Sequence, residues 1–215
     1  MSLINKALKG SMILTMGDYA VYAFNIVAQL WLIRLLSPSQ YGQYAIISAI
    51  VEFAYVLLTI EFATACIYYL DNEDIFHTAV ILAWIWSVGM VVALYGLRYI
   101  TTFWINEQNW VFASILVLLK FIYGISVVYG TYIERHLHFG KLTIVRSLAK
   151  LIALGCGIVI AKRGGGIKAL VCIDMINYLL ASLTIIAVSP LKVKLSSFRF
   201  DLAKLILKKG YKYAN

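Results

Sequence analysis

Lys120 stands in the middle of "SILVLLKFIYGISVV", and no other charged residue occurs between Glu107 and Glu134. A lysine at the centre of a bilayer costs about 2.5–3.5 kcal/mol even on a lenient insertion scale. Such a cation needs a carboxylate partner or a wet surface, and it is a natural receiver for an anionic ligand. Arg146 and Lys150 are four residues apart, so a helix puts both on one face. They lie near the end of their own apolar run, where reaching headgroups is an equally good account of them. Three carboxylates also fall inside apolar runs: Asp18, Glu52 and Asp174, the last with Asn177 about a turn away. Each is a partner for a buried cation or a group able to carry a proton or a sodium ion.

Neutral polar residues extend the pattern. Ser11, Thr15, Asp18, Tyr22, Asn25 and Gln29 recur at helical spacing, and at about 100° per residue they fall within an arc of roughly 80°. Tyr41, Tyr44, Ser48, Glu52, Tyr55 and Thr59 repeat the pattern in the next run. Two neighbouring helices with one polar stripe each predict a shared water-filled cavity. A polar interhelical seam is the alternative. Glu61 is nine residues from Glu52, about 180° around a straight helix, and reads as an interfacial carboxylate.

Other motifs carry less. His136 and His138 are two apart, off one helical face, which argues against a metal site. "KRGGGIK" has the glycines and cations of a phosphate cradle, but a tight turn between helices accounts for it more simply. Cys66, Cys156 and Cys172 are odd in number and widely spaced, which argues against a disulfide framework or a zinc site. No nucleophile–base pair or nucleotide loop points to an enzyme, and no cofactor is expected.

The elements that position these residues follow from composition. Of 215 residues, 62% are hydrophobic and 13% charged, against about a half and a quarter in a soluble domain. Too few polar side chains remain to cover a water-facing surface, so the fold class is all-α integral membrane. Six segments reach the roughly 20 apolar residues that a span requires: about 11–35, 42–70, 76–98, 108–133, 142–162 and 167–189. They form a six-helix transmembrane bundle over 1–190, followed by a basic cytoplasmic segment, 191–215, that leads toward a seventh helix. Trp104, Trp110 and Tyr99 cluster where an aromatic belt sits. With the N-terminus inside, Lys6, Lys9, Arg135, Lys141, Lys192, Lys194 and Arg199 are cytoplasmic; Arg34, Arg98, Lys162, Arg163 and Lys168 are outside. That excess of inside cations predicts a cytoplasmic N-terminus.

The turn "RLLSPSQYGQYA", with Arg34, Leu35, Leu36, Pro38, Tyr41 and Gly42, resembles the N-terminal signature of Wzx-type polysaccharide flippases. These belong to the multidrug/oligosaccharidyl-lipid/polysaccharide exporter superfamily, which also holds the MATE-like transporters. "ERHLHFGKLTIVRSLAKLIALGCGIVIAKRGGGIKALV" is similar to the fifth-helix region of that family, and "FRFDLAKLILKKG" to its lead into a seventh helix. The resemblance implies a fold like the N-terminal lobe of such a transporter, half of a two-bundle protein. It implies translocation of an undecaprenyl-diphosphate-linked oligosaccharide across the bacterial inner membrane, for lipopolysaccharide, O-antigen or other surface polysaccharide. Lys120, Arg146 and Lys150 would meet the diphosphate; Asp18, Tyr22, Asn25, Gln29, Ser48, Glu52 and Tyr55 would line the cavity. Glu52, Asp18 or Asp174 would couple an ion. Its partners would be the bilayer, the lipid-linked oligosaccharide, and a second six-helix half or other polysaccharide-assembly proteins, with no nucleic acid. A cation-coupled multidrug exporter lobe and an inactive membrane remnant are the alternative readings.

Overall fold

The computed structural model describes residues 3–58, 73–101, 107–135, 139–194 and 197–213, together with Phe62 and Cys66. Glu61, Trp104, His136 and His138 lie outside the described residues, and so do the side chains of Asp18 and Tyr99. The helices are α1 (Leu3–Leu35), α2 (Pro38–Leu58), α3 (Glu73–Thr101), α4 (Glu107–Arg135), α5 (Phe139–Lys162), α6 (Ile167–Val188) and α7 (Phe200–Tyr213). No strand occurs among the described residues. Among the described residues, α4, α5 and α6 are long and apolar enough to cross a bilayer. Helix α1 packs against α5, and α2 against α4 and α6.

Turn chemistry fixes the connections. Between α1 and α2, the Ser37 N–H donates to Gln40 Oε1 at 3.0 Å and the Gln40 N–H donates to Ser37 Oγ at 3.4 Å. This reciprocal pair, with Pro38 as the first helical residue, is a capping box. It explains why "SPSQ" both stops one helix and starts the next. The "KRGGG" segment is a tight turn: Gly165 N–H reaches Ile160 O and Gly164 N–H reaches Ala161 O, both at 3.0 Å. Gly164 has φ 77°, the left-handed conformation that closes a Schellman motif. A Cβ on Gly166 would approach the Gln40 amide to 2.8 Å, so the two turns lie side by side at one end of the bundle.

The opposite end gathers the N-terminal ends of α3 and α5. Tyr132 OH donates to Glu73 at 3.3 Å, and the Arg199 N–H donates to Thr78 Oγ1 at 3.4 Å. Helices α2, α4 and α6 therefore run one way, and α1, α3 and α5 the other. Helix α7 covers α3, burying Ile206 in the cluster that holds Phe76, Val128 and Ile185, with Leu202 and Leu207 packed against it. Close helix approach is enforced where side chains are missing. A Cβ on Gly157 of α5 would sit 2.2 Å from Ile173 of α6, and one on Gly17 of α1 would sit 2.2 Å from Thr143 of α5. These contacts seat α1 on α5 while α2 lies on α4 and α6. The main contacts of α1 and α2 therefore run to different helices, while Tyr41 and Tyr44 of α2 also pack on the cluster that holds Ala28 and Leu32 of α1.

Candidate functional site

The α2 stripe runs along the edge of that helix's buried face, and at Glu52 and Tyr55 it meets Lys120 of α4. Lys120 lies about 20 Å along α4 at 1.5 Å per residue, near the centre of a 29-residue helix. Its Nζ pairs with Glu52 of α2. It also sits 4.6 Å from the Tyr55 ring centroid and 5.8 Å from that of Tyr178, so two π faces contribute about 0.5–1 kcal/mol each at least. Gly124, one turn on, makes room: a Cβ there would meet the Tyr55 ring at 3.4 Å. The pair is asymmetric. The Lys120 side chain is 9% exposed, whereas that of Glu52 is 59% exposed. An ionised carboxylate at this depth cannot face hydrocarbon cheaply, so the outer face of α2 at Glu52 calls for water or another polar surface.

A second contact continues the cluster toward the other end. Tyr44 of α2 donates a hydrogen bond to Asp174 Oδ2 of α6. Lys150 and Lys120 both lie within electrostatic reach of that carboxylate. Tyr123 of α4 and Tyr178 of α6 close the group, with ring centroids 5.6 Å apart. Two cations, two carboxylates and four tyrosines thus share one region between α2, α4, α5 and α6. Its charges compensate internally, which is how ionisable groups persist at such depth.

The remaining candidates sit elsewhere. Arg146 pairs with Glu134 at 3.7 Å, and its Nε is buried with no hydrogen bond among the described residues. Gly130 leaves space for that guanidinium, since a Cβ there would lie 3.3 Å from Nη2. On α1, Tyr22 is exposed, while Asn25 and Gln29 are half-buried. The Asn25 Oδ1 accepts no hydrogen bond among the described residues. Ser48 is half-buried and donates to Ala45 O at 3.1 Å. A separate pocket of about 530 Å³ lies between α1 and α5, lined by Gly17, Val21, Phe24, Thr143, Ser147 and Leu151 among others. None of the polar-stripe residues lines it. Among the described residues, no cluster of His, Cys, Asp and Glu has the grouping to hold a metal ion.

Tyr123, Tyr178 and Gly124 were not among the sequence candidates. Their available signal was spacing: Tyr123 follows Lys120 by three residues and Tyr178 follows Asp174 by four, each on the same helical face.

The chain is thus an all-α bundle with apolar helices long enough to span a bilayer and an ionic cluster at mid-helix. The family model for polysaccharide biosynthesis proteins matches residues 31–214. The chain belongs to the polysaccharide biosynthesis protein family. No curated protein and no solved structure matches it. Family membership and the apolar helices together make it a membrane protein of polysaccharide synthesis.

Proposed function

We propose that this chain forms a six-span flippase lobe that moves an undecaprenyl-diphosphate-linked oligosaccharide from the cytoplasmic to the outer leaflet of the bacterial inner membrane. The observation that carries the reading is the Lys120–Glu52 pair, a buried cation held at mid-helix by a carboxylate that is itself exposed. A diphosphate carries more negative charge than Glu52, so it competes for Lys120. At an effective dielectric near 20, each unit pair 4 Å apart gains about 4 kcal/mol. Lys150 lies beside the same cluster, and Arg146 is one turn from it on α5. The phenol groups of Tyr44, Tyr55, Tyr123 and Tyr178 supply partners for sugar hydroxyls.

The cycle then follows from charge. Diphosphate displaces Glu52 from Lys120, and the freed carboxylate takes up a proton or a sodium ion from the aqueous side it faces. Loss of that ion on the other side lets Glu52 recapture Lys120 and release the diphosphate. Rocking of this bundle against a second one about a midplane site would alternate the access. The cytoplasmic N-terminus proposed from the basic connections sets the direction.

Replacing Lys120 with Ala is expected to abolish surface polysaccharide while the protein still accumulates in the membrane. Wild-type polysaccharide levels in that strain would overturn the reading. The exposure of Glu52 also suits a second reading, a cation-coupled multidrug exporter. In that case Glu52→Gln removes drug resistance, and polysaccharide export is unaffected by either substitution.

A further inference from the structure

The end of the bundle where the α1–α2 and α5–α6 turns lie side by side carries charge that is not neutralised within the fold. Arg34 stands at the first turn and Lys162, Arg163 and Lys168 at the second, all four exposed. Neither 30–40 nor 159–168 contains an aspartate or a glutamate. Among the described residues, none of the four cations has a carboxylate within ion-pair distance. The turns that carry them are fixed. A Cβ on Gly166 would come within 2.8 Å of the Gln40 amide, and the Gly164 and Gly165 N–H groups are bonded to Ala161 O and Ile160 O. The charges are thereby held together as a group.

Lys162 is also turned to one side. Its Nζ sits 4.9 Å from the Trp31 ring centroid, so the last residue of α5 reaches across to α1. Trp31 is itself exposed, and so are Leu30 and Ile33 on α1 and Val159 on α5. An indole with a lysine drawn over it, at the edge of an apolar wall, marks the level where hydrocarbon gives way to headgroups. Arg34 follows Trp31 by three residues, on the same side of α1 and one turn nearer its end. We propose that this corner binds an anionic phospholipid of the surrounding bilayer, its phosphate held by Arg34 and Lys162 with Arg163 beside them. Placement selects that occupant. A phosphate that reaches Lys162 over the Trp31 ring stands above the lipid-facing wall, where a bilayer lipid already has its headgroup. Cardiolipin, with two phosphates in one molecule, suits a group of cations best, and phosphatidylethanolamine brings an ammonium of its own that the group repels. The site needs only the membrane location, so it stands whether or not the chain moves a glycan.

The test places the full chain in phosphatidylcholine nanodiscs that contain a rising fraction of cardiolipin brominated near the headgroup end of its acyl chains. Trp31 is one of five tryptophans, so its share of the quenching is isolated by subtracting the signal of Trp31→Phe. Quenching of Trp31 is expected at a much lower fraction of brominated cardiolipin than of brominated phosphatidylethanolamine. Arg34→Gln with Lys162→Gln should raise the half-quenching fraction about thirtyfold, about fivefold for each cation lost beside an anionic lipid. Lys192→Gln with Lys194→Gln, exposed cations at the opposite end, should leave it unchanged. Equal quenching by the two lipids in the wild-type chain, which needs no substitution to be read, would overturn the assignment. So would an equal loss in the Lys192 and Lys194 variant, which would show a diffuse attraction and no site. Reversal of the quenching by soluble polyphosphate would overturn it in favour of a water-borne anion.

Discussion

Glu52→Gln leaves Lys120 as a buried cation with its carboxylate removed, and the size of the penalty can be worked from the pair's geometry. Removing one partner of a fully buried ion pair costs about 3–5 kcal/mol, and an exposed pair is worth about 0–1 kcal/mol. Lys120 is 9% exposed and Glu52 59% exposed, so the pair falls between these limits, at about 2 kcal/mol. The Tyr55 and Tyr178 rings recover a part of this that is already contained in that figure. Lys120→Met removes the cation as well, and a thioether chain of similar length suits an apolar site. In the double variant no charge is stranded. A double-mutant cycle should therefore return a coupling of about 1–2 kcal/mol, with the double variant more stable than Glu52→Gln alone. Thermal unfolding in detergent, followed by intrinsic tryptophan fluorescence, reads this out. By the usual conversion for a chain of this size, Glu52→Gln lowers Tm by about 4–8 °C and the double variant recovers most of it. Strictly additive single effects, or a Glu52→Gln variant as stable as wild type, would refute the claim that the two charges hold each other.

Two further outcomes follow from the backbone. Gly157→Ala pushes a Cβ to 2.2 Å from Ile173 and should cost about 1–3 kcal/mol by overpacking; Ile173→Ala in the same chain should restore part of the lost Tm, which a purely local helix effect would not allow. Gly164→Ala puts a Cβ on a residue with φ 77°, costing about 1–2 kcal/mol. Its Tm should fall by a few degrees, and an unchanged Tm would show that the α5–α6 turn does not depend on the Schellman geometry.

The sequence made the depth of Lys120 legible, because one cation in a run without other charge has no ordinary explanation. It did not reveal the choice of partner. Glu52, Asp18 and Asp174 were equivalent until the register of α2 on α4 and of α2 on α6 was known, and that register depends on packing between helices far apart in the chain. The outcome is a division of labour: Glu52 pairs with Lys120, and Tyr44 holds Asp174. Tyr123 and Tyr178 escaped notice because tyrosines in apolar runs pass as core or belt residues until a charge is found beside them. Likewise the seat of α1 was not legible: close approach at Gly17 and Gly157 sets α1 on α5 and α5 on α6, a consequence of absent side chains that periodicity does not register.

The asymmetry of the ion pair decides which partner moves in any exchange. Lys120 is enclosed by two tyrosine rings, one of them fitted against Gly124, and leaving this place would forfeit those contacts and expose its stem to polar surroundings. Glu52 is constrained on one side only, since most of its side chain already lies outside the packed interior. An incoming anion therefore displaces the carboxylate and not the lysine. That places the fixed charge of the exchange on α4, one of the apolar spanning helices, and the responsive charge on α2. On the proposed flippase reading, motion of α2 relative to α4 follows the occupancy of Lys120, and a spin-label pair spanning those two helices should separate when undecaprenyl diphosphate is added and stay still in Lys120→Met. A distance distribution that shifts equally in both proteins would move the responsive element elsewhere.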